Sequence, residues 1–363
     1  MVIEKGMKKV GEIEFLRFFF AVVVMLRHSL AFMGSIEKTP FAGGALAVEF
    51  FFIVSGYLLM MSVDRIKTEP EKWGTETVMF LKRKIAGFFP EYLLSFGIAF
   101  VLNIWLNHLT VRQSISKLID LIWELLIVSK SGLTTGSLNP PTWYLSTMLI
   151  CMAILYPLLR KYKNMMANVA APLATLFIFG YMCMNFSSLR DPEKWIGLTY
   201  KGNLRGFAEL CLGISVYQIA SELKKPIFNT LGRVVLSLIK WSCYALFIRY
   251  LTQSDWDNRD YFYTMLLAIA LVISFSRQSW DSRFFDNRLS LLLGGFSLPL
   301  YLCHYYYAKM VKVVFGNDYT TRQKMGMYII VSVLSAVLVM LLAKVYRIAA
   351  SKIKVELKQI FLK

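Results

Sequence analysis

Phe15-Leu16-Arg17-Phe18-Phe19-Phe20-Ala21-Val22-Val23-Val24-Met25-Leu26-Arg27-His28-Ser29 decides how the chain is read. Fifteen residues in which only Arg17, Arg27 and His28 are ionisable make too apolar a stretch for a helix with one wet face. It is long enough to enter a hydrocarbon core. Lys5, Lys8 and Lys9 precede it, as in a secretory leader, but the charges inside the run and the lack of a small-residue cleavage site predict a retained first span.

The rest of the chain agrees. Of 363 residues 56% are hydrophobic and only 18% charged, with a mean hydropathy of +0.51. A water-soluble domain of this size would be left with large exposed apolar patches. Lipid removes that difficulty. Ten apolar segments reach spanning length, at about 13–33, 41–62, 84–106, 141–160, 168–186, 203–221, 232–252, 260–276, 289–312 and 326–347. The predicted fold is all-α, a polytopic transmembrane bundle forming a single domain over 1–363, with a basic tail over about 348–363.

Lys plus Arg outnumber Asp plus Glu by 41 to 23, a formal net charge of +18. No basic stripe interleaved with aromatics lies outside the apolar runs, so the excess argues for headgroups and loop orientation, not for nucleic acid. With the amino terminus inside, Lys9, Arg65, Lys67, Lys82, Arg83, Lys84, Arg160, Lys161, Lys163, Lys224, Lys225, Arg277, Arg283 and Arg288 all fall on the inner side. The outer 254–260 loop is acidic. Both termini are therefore expected in the cytoplasm of a multi-pass protein of the cell membrane. Ser114 to Lys130 carries an apolar helical face broken by Lys117, Asp120 and Glu124; counted as a span it would invert every later loop, so it is predicted to lie at the outer interface. The five cysteines sit within apolar segments without metal-ligand spacing, so no metal site is expected.

Ionisable groups within spans are costly and point to function. Arg17 and His28 are eleven residues apart, which returns to within about 20° of one helix face and about 16 Å further along it. Glu49 opens the second span, Glu49-Phe50-Phe51-Phe52-Ile53-Val54-Ser55-Gly56-Tyr57, and the short connection from the first makes a meeting with His28 an expectation. Ser55-Gly56 is also a place where two helices approach closely. Phe80-Leu81-Lys82-Arg83-Lys84-Ile85-Ala86-Gly87-Phe88-Phe89-Pro90-Glu91-Tyr92 places a basic cluster at the expected start of the third span, suited to phosphate oxygens.

These elements, in this order, resemble the acyltransferase 3 family. The resemblance rests on Arg17-x10-His28, the acidic Phe-Phe second span ending Ser-Gly, the basic cluster leading to Pro90-x-Tyr92, Trp143-Tyr144-Leu145-Ser146, and Ser297-Leu298-Pro299-Leu300-Tyr301-Leu302-Cys303-His304. It implies a membrane-embedded O-acyltransferase moving an acetyl or similar group from acetyl-CoA to a hydroxyl of a surface polysaccharide or a lipid-linked saccharide, with no metal. Carried over by residue, His28 matches the histidine assigned to chemistry and Arg17 its partner. Glu49 would orient His28; Arg17, Arg83 and Lys84 would hold CoA phosphates; Ser55, Trp143, Tyr144, Tyr301 and His304 would line the substrate pocket. Two positions depart from the family: Lys84 and Gly87 stand where Arg-x-x-Arg is common, and Ser146-Thr147 where a Glu often follows the Trp. A transporter is the rival reading, separated by asking whether thioester is consumed or solute moved; a purely structural role would not need Arg17, His28 and Glu49 in hydrocarbon.

Orientation can be tested with single cysteines at Thr68, Asp257 and Thr320 in a background lacking the native five. A membrane-impermeant thiol reagent should label 257 and 320 on intact cells and leave 68 untouched. Labelling at 68 would place the basic cluster outside, away from any CoA.

Overall fold

The computed structural model describes residues 9–66, 72–133, 136–255, 257–316 and 318–360; Lys5, Lys8, Lys67 and Thr68 of the orientation argument lie outside them. Among the described residues the long helices are α1 (Gly11–His28), α2 (Val48–Asp64), α3 (Trp73–Leu106), α4 (Val111–Asp120), α5 (Trp143–Lys161), α6 (Ala171–Phe186), α7 (Lys201–Leu223), α8 (Thr230–Leu251), α9 (Arg259–Ser276), α10 (Arg288–Phe315) and α11 (Thr321–Ile360). A two-residue hairpin, Trp195–Ile196 against Thr199–Tyr200, sits between α6 and α7. The protein is an all-α bundle, and each of the ten predicted segments is a helix.

Among the described residues eight stretches are apolar and long enough to cross a membrane. The two other predicted segments are α7, with 23 residues, and α10, with 28. Both are long enough, at about 1.5 Å per residue, to span, but they carry more polar residues. Their position explains this. α7 is packed by α2, α5, α6 and α9, and α10 by α1, α3 and α11, so protein rather than lipid surrounds them. The outer helices show the opposite pattern, with Phe177, Leu238, Leu292 and Leu334 exposed where acyl chains would cover them.

The tightest crossing is between α2 and α7, where Gly56 faces Gly213. A Cβ added to Gly213 would stand 2.8 Å from the Gly56 Cα. The absence of side chains at both positions lets the backbones touch, the approach anticipated at Ser55-Gly56. It also seats the polar residues of α7 against α2.

Two features depart from expectation, and a third, the 114–130 stretch, agrees with it. α3 begins at Trp73, eleven residues before the predicted start at 84, and is 34 residues long. The Lys82–Lys84 cluster consequently lies well inside the helix and gains nothing from a helix N-terminus. α4 has ten residues, about 15 Å of rise, and is followed by the four-residue helix Ile122–Leu125. Neither could span, so the 114–130 stretch stays out of the count; Ile115 and Ile119 are exposed along it. Last, α6 is preceded by a π-helical turn over Met166–Ala170.

Because the Gly56–Gly213 contact leaves no room for a branched side chain, Gly213→Val should destabilise the bundle by about 1–3 kcal/mol through overpacking. This reads out as a lower unfolding temperature in detergent. An unchanged transition would mean that α2 and α7 do not meet at these glycines.

Candidate active site

α1 and α10 run against each other over most of their length. That packing brings together two histidines 276 residues apart in sequence. His28, the last residue of α1, lies with its Nδ1 3.1 Å from Nε2 of His304, and the ring centroids are 4.9 Å apart. The backbone fixes the tautomers, because a carbonyl can only accept. His28 Nδ1 is 2.9 Å from the Val24 carbonyl, so it carries the proton and shares it with His304 Nε2. His304 Nδ1 lies 3.2 Å from the Leu300 carbonyl and is protonated too, which leaves its Nε2 to accept. The assignment leaves His28 Nε2 with a lone pair and no protein partner among the described residues. That is the arrangement a general base requires.

One turn before His304, Tyr301 opens onto a cleft of about 360 Å³. Arg17, Ser55, Lys84, Tyr144 and Tyr301, five of the residues singled out in the sequence, line it together. Ser55 Oγ and Tyr144 OH are 2.8 Å apart, and Tyr144 also donates to the Phe51 carbonyl at 3.2 Å. Tyr301 donates to the Pro141 carbonyl at 2.5 Å and its ring centroid is 6.0 Å from that of His304. Arg17 stands at the Lys9 end of the cleft, near Glu14 at 3.4 Å. Among the described residues α1 contributes Glu14 and Arg17 to the lining, and neither His28 nor His304 lines the cleft; the pair stands behind Tyr301.

The other predicted residues fall elsewhere. Arg83 is exposed and does not line the cleft. Trp143 is buried beneath the Arg205 guanidinium, 5.3 Å from its ring centroid, and forms part of the wall behind the cleft. Glu49 does not orient His28. Its carboxylate is completely buried and pairs with Arg205, whose Nε also donates to Glu209 at 3.0 Å. The reason is the close α2–α7 crossing: it delivers a guanidinium to Glu49 from α7, while α10 delivers a ring to His28. At the departures from the family pattern, Ser146 Oγ accepts the Lys130 amide at 3.0 Å and Thr147 donates to Asn203 at 2.8 Å.

Several contributors went unread in the sequence. Arg205 and Glu209 would have been found by the rule that picked out Arg17, since both lie inside a predicted span. Arg347 of α11 also lines the cleft; it grips Glu91 through two contacts, at 2.6 and 2.5 Å, and reaches the Gly87 carbonyl at 3.0 Å. Glu124 was read only as a charge interrupting the apolar face of 114–130. Burial pushes its carboxyl up, and the Leu138 and Asn139 amides that it accepts draw it back. Through Asn139, which donates to the Leu302 carbonyl at 2.7 Å, it ties the 137–142 loop to α10 beside His304.

The chain is thus a helical membrane bundle with a buried histidine pair behind a cation-edged cleft. The sequence pattern of the acyltransferase 3 family, an acyltransferase domain, matches residues 10–345, nearly the whole chain, and the protein belongs to that family. Comparison with curated proteins and with solved structures gave no match.

Removing the cation from the Glu49–Arg205–Glu209 cluster should cost more than any surface change. Arg205→Gln leaves two buried carboxylates without a counter-charge, a loss of about 3 kcal/mol or more. The measurement is the unfolding temperature and membrane yield of the variant against the parent. Equal stability would show that the cluster is solvated and not structural.

Proposed function

We propose that the protein transfers an acetyl, or similar short acyl, group from acyl-CoA to a hydroxyl of a cell-surface polysaccharide or lipid-linked saccharide. The observation that carries this reading is the histidine pair behind Tyr301, in which a His28 Nδ1–H given to the Val24 carbonyl leaves Nε2 free to take a proton. In the reaction His28 Nε2 takes the proton of the acceptor hydroxyl as its oxygen attacks the thioester carbonyl carbon. The tetrahedral centre collapses, the carbon–sulfur bond breaks, and the leaving thiolate takes the proton back from the imidazolium. Products are the ester and the free CoA thiol.

His304 supplies what Glu49 was expected to supply. Its Nε2 accepts from His28 Nδ1, holding the ring in the productive tautomer and spreading the charge that develops on it. Two imidazoles suit this place better than an imidazole and a carboxylate, because the resting site then carries no buried charge. Ser55, Tyr144 and Tyr301 wall the channel for the acyl arm. Arg17 and Lys84 meet the anionic donor on the side that loop charge assigns to the cytoplasm. Glu49 and Trp143 act at one remove, by fixing Arg205 behind that wall.

His28→Ala should abolish acyl transfer while membrane level and unfolding temperature stay near those of the parent. His304→Gln keeps a hydrogen-bonding partner and should retain a small residual rate with an altered pH profile. Both are followed as acetyl-CoA-dependent ester formation in isolated membranes. Full activity in His28→Ala at normal expression would end this account of the mechanism.

A further inference from the structure

The cleft does not stop at Arg17. It shares Lys9, Glu14, Arg17 and Leu58 with a second opening of about 510 Å³. The floor of this opening is apolar: Val54, Met61 and the stacked rings of Tyr57 and Phe275, whose centroids are 3.5 Å apart. Its rim is cationic, with Arg65 after α2, Lys224 after α7, and Arg277 and Arg283 between α9 and α10. Arg277 is matched by Asp286 and Glu14 is shared by Lys9 and Arg17. Arg65, Lys224 and Arg283 have no carboxylate within ion-pair distance among the described residues.

Basic residues at the inner ends of helices are often only headgroup anchors. Three facts separate this cluster from that case. The cations come from three different connections and surround one concavity. The concavity shares its Lys9, Glu14, Arg17 and Leu58 edge with the cleft walled by Tyr301. Its floor is aromatic and apolar, which a phosphate alone would not need but a base or similar ring would use.

We propose that this second opening binds the phosphate-bearing end of a nucleotide donor. Arg65, Lys224 and Arg283 contact its phosphates, its ring system lies over the Tyr57–Phe275 floor, and its acyl arm passes Arg17 into the first cleft. The proposal rests on the acyl-CoA reading above and moves the phosphate contact from Arg83 to the ends of α2 and α7 and the 277–287 connection. The arm then lies in the first cleft between Arg17 and Tyr301.

The test uses the full chain in nanodiscs of zwitterionic lipid, with adenosine 3′,5′-bisphosphate as the probe and calorimetry as the readout. The parent should bind it, more weakly as salt rises. Arg65→Glu and Arg283→Glu should each weaken binding about tenfold, the scale of a lost charge-assisted contact. Lys225→Glu removes the same charge from a residue outside the opening, paired with Glu222, and should change binding less than about twofold. No binding by the parent, unchanged binding in both arginine variants, or an equal loss in Lys225→Glu would overturn the proposal. Nanodiscs containing phosphatidylglycerol separate the two sources of phosphate: if that lipid abolishes nucleotide binding, the opening is a headgroup site and the proposal fails. Failure of the acyl-transfer reading looks different. Nucleotide would bind and the variants would weaken it, yet no thioester would be consumed.

Discussion

Arg205, held between Glu49 and Glu209 with essentially no exposure, is the interaction on which the arrangement of the bundle depends. A charge in hydrocarbon is tolerable only where other charges and dipoles surround it. A helix carrying Lys201, Arg205 and Glu209 therefore has to run through the middle of the molecule, and α2 has to meet it with Glu49. The glycines at 56 and 213 make that meeting close enough for the ion pair to form. From there the ring of outer helices, with lipid-facing Phe, Leu and Ile, follows as cover.

The same logic, applied to groups without net charge, places the histidines. α10 is the second interior helix, and its polar side faces α1. Where α1 ends, two neutral imidazoles can satisfy each other and the carbonyls of their own helices, so no counter-ion is required. This frees the carboxylate that would otherwise have been needed there and leaves one ring nitrogen for chemistry. The cleft in front of Tyr301 is basic at one end and aromatic at the other, as a donor with an anionic head and an apolar arm would require.

The fold was legible because apolar length and loop charge are local properties, and all ten segments proved helical. Where the reading slipped, the cause was non-local. The start of α3 moved from 84 to 73 because Glu76, Lys82 and Arg83 interrupt the apolar run there, while the helix continues through them. Glu49 was given the wrong partner because nearness in sequence favoured His28, whereas the crossing with α7, 156 residues away, supplied Arg205. Arg83 was taken for a ligand contact from the character of its cluster, but a helix turns 100° per residue, and only Lys84 of the pair faces the cleft. Arg205 and Glu209 were visible to the rule that found Arg17. Glu124 was not, because its role depends on a loop closing over it.

The most direct measurement follows the thioester itself. Inside-out membrane vesicles containing the protein, with saccharide acceptor present and acetyl-CoA labelled in the acetyl group, can be assayed for free thiol and for label in the acceptor. The account predicts that the two rise together, one thiol for each ester formed. Label or solute crossing the vesicle membrane while the thioester remains intact would contradict it.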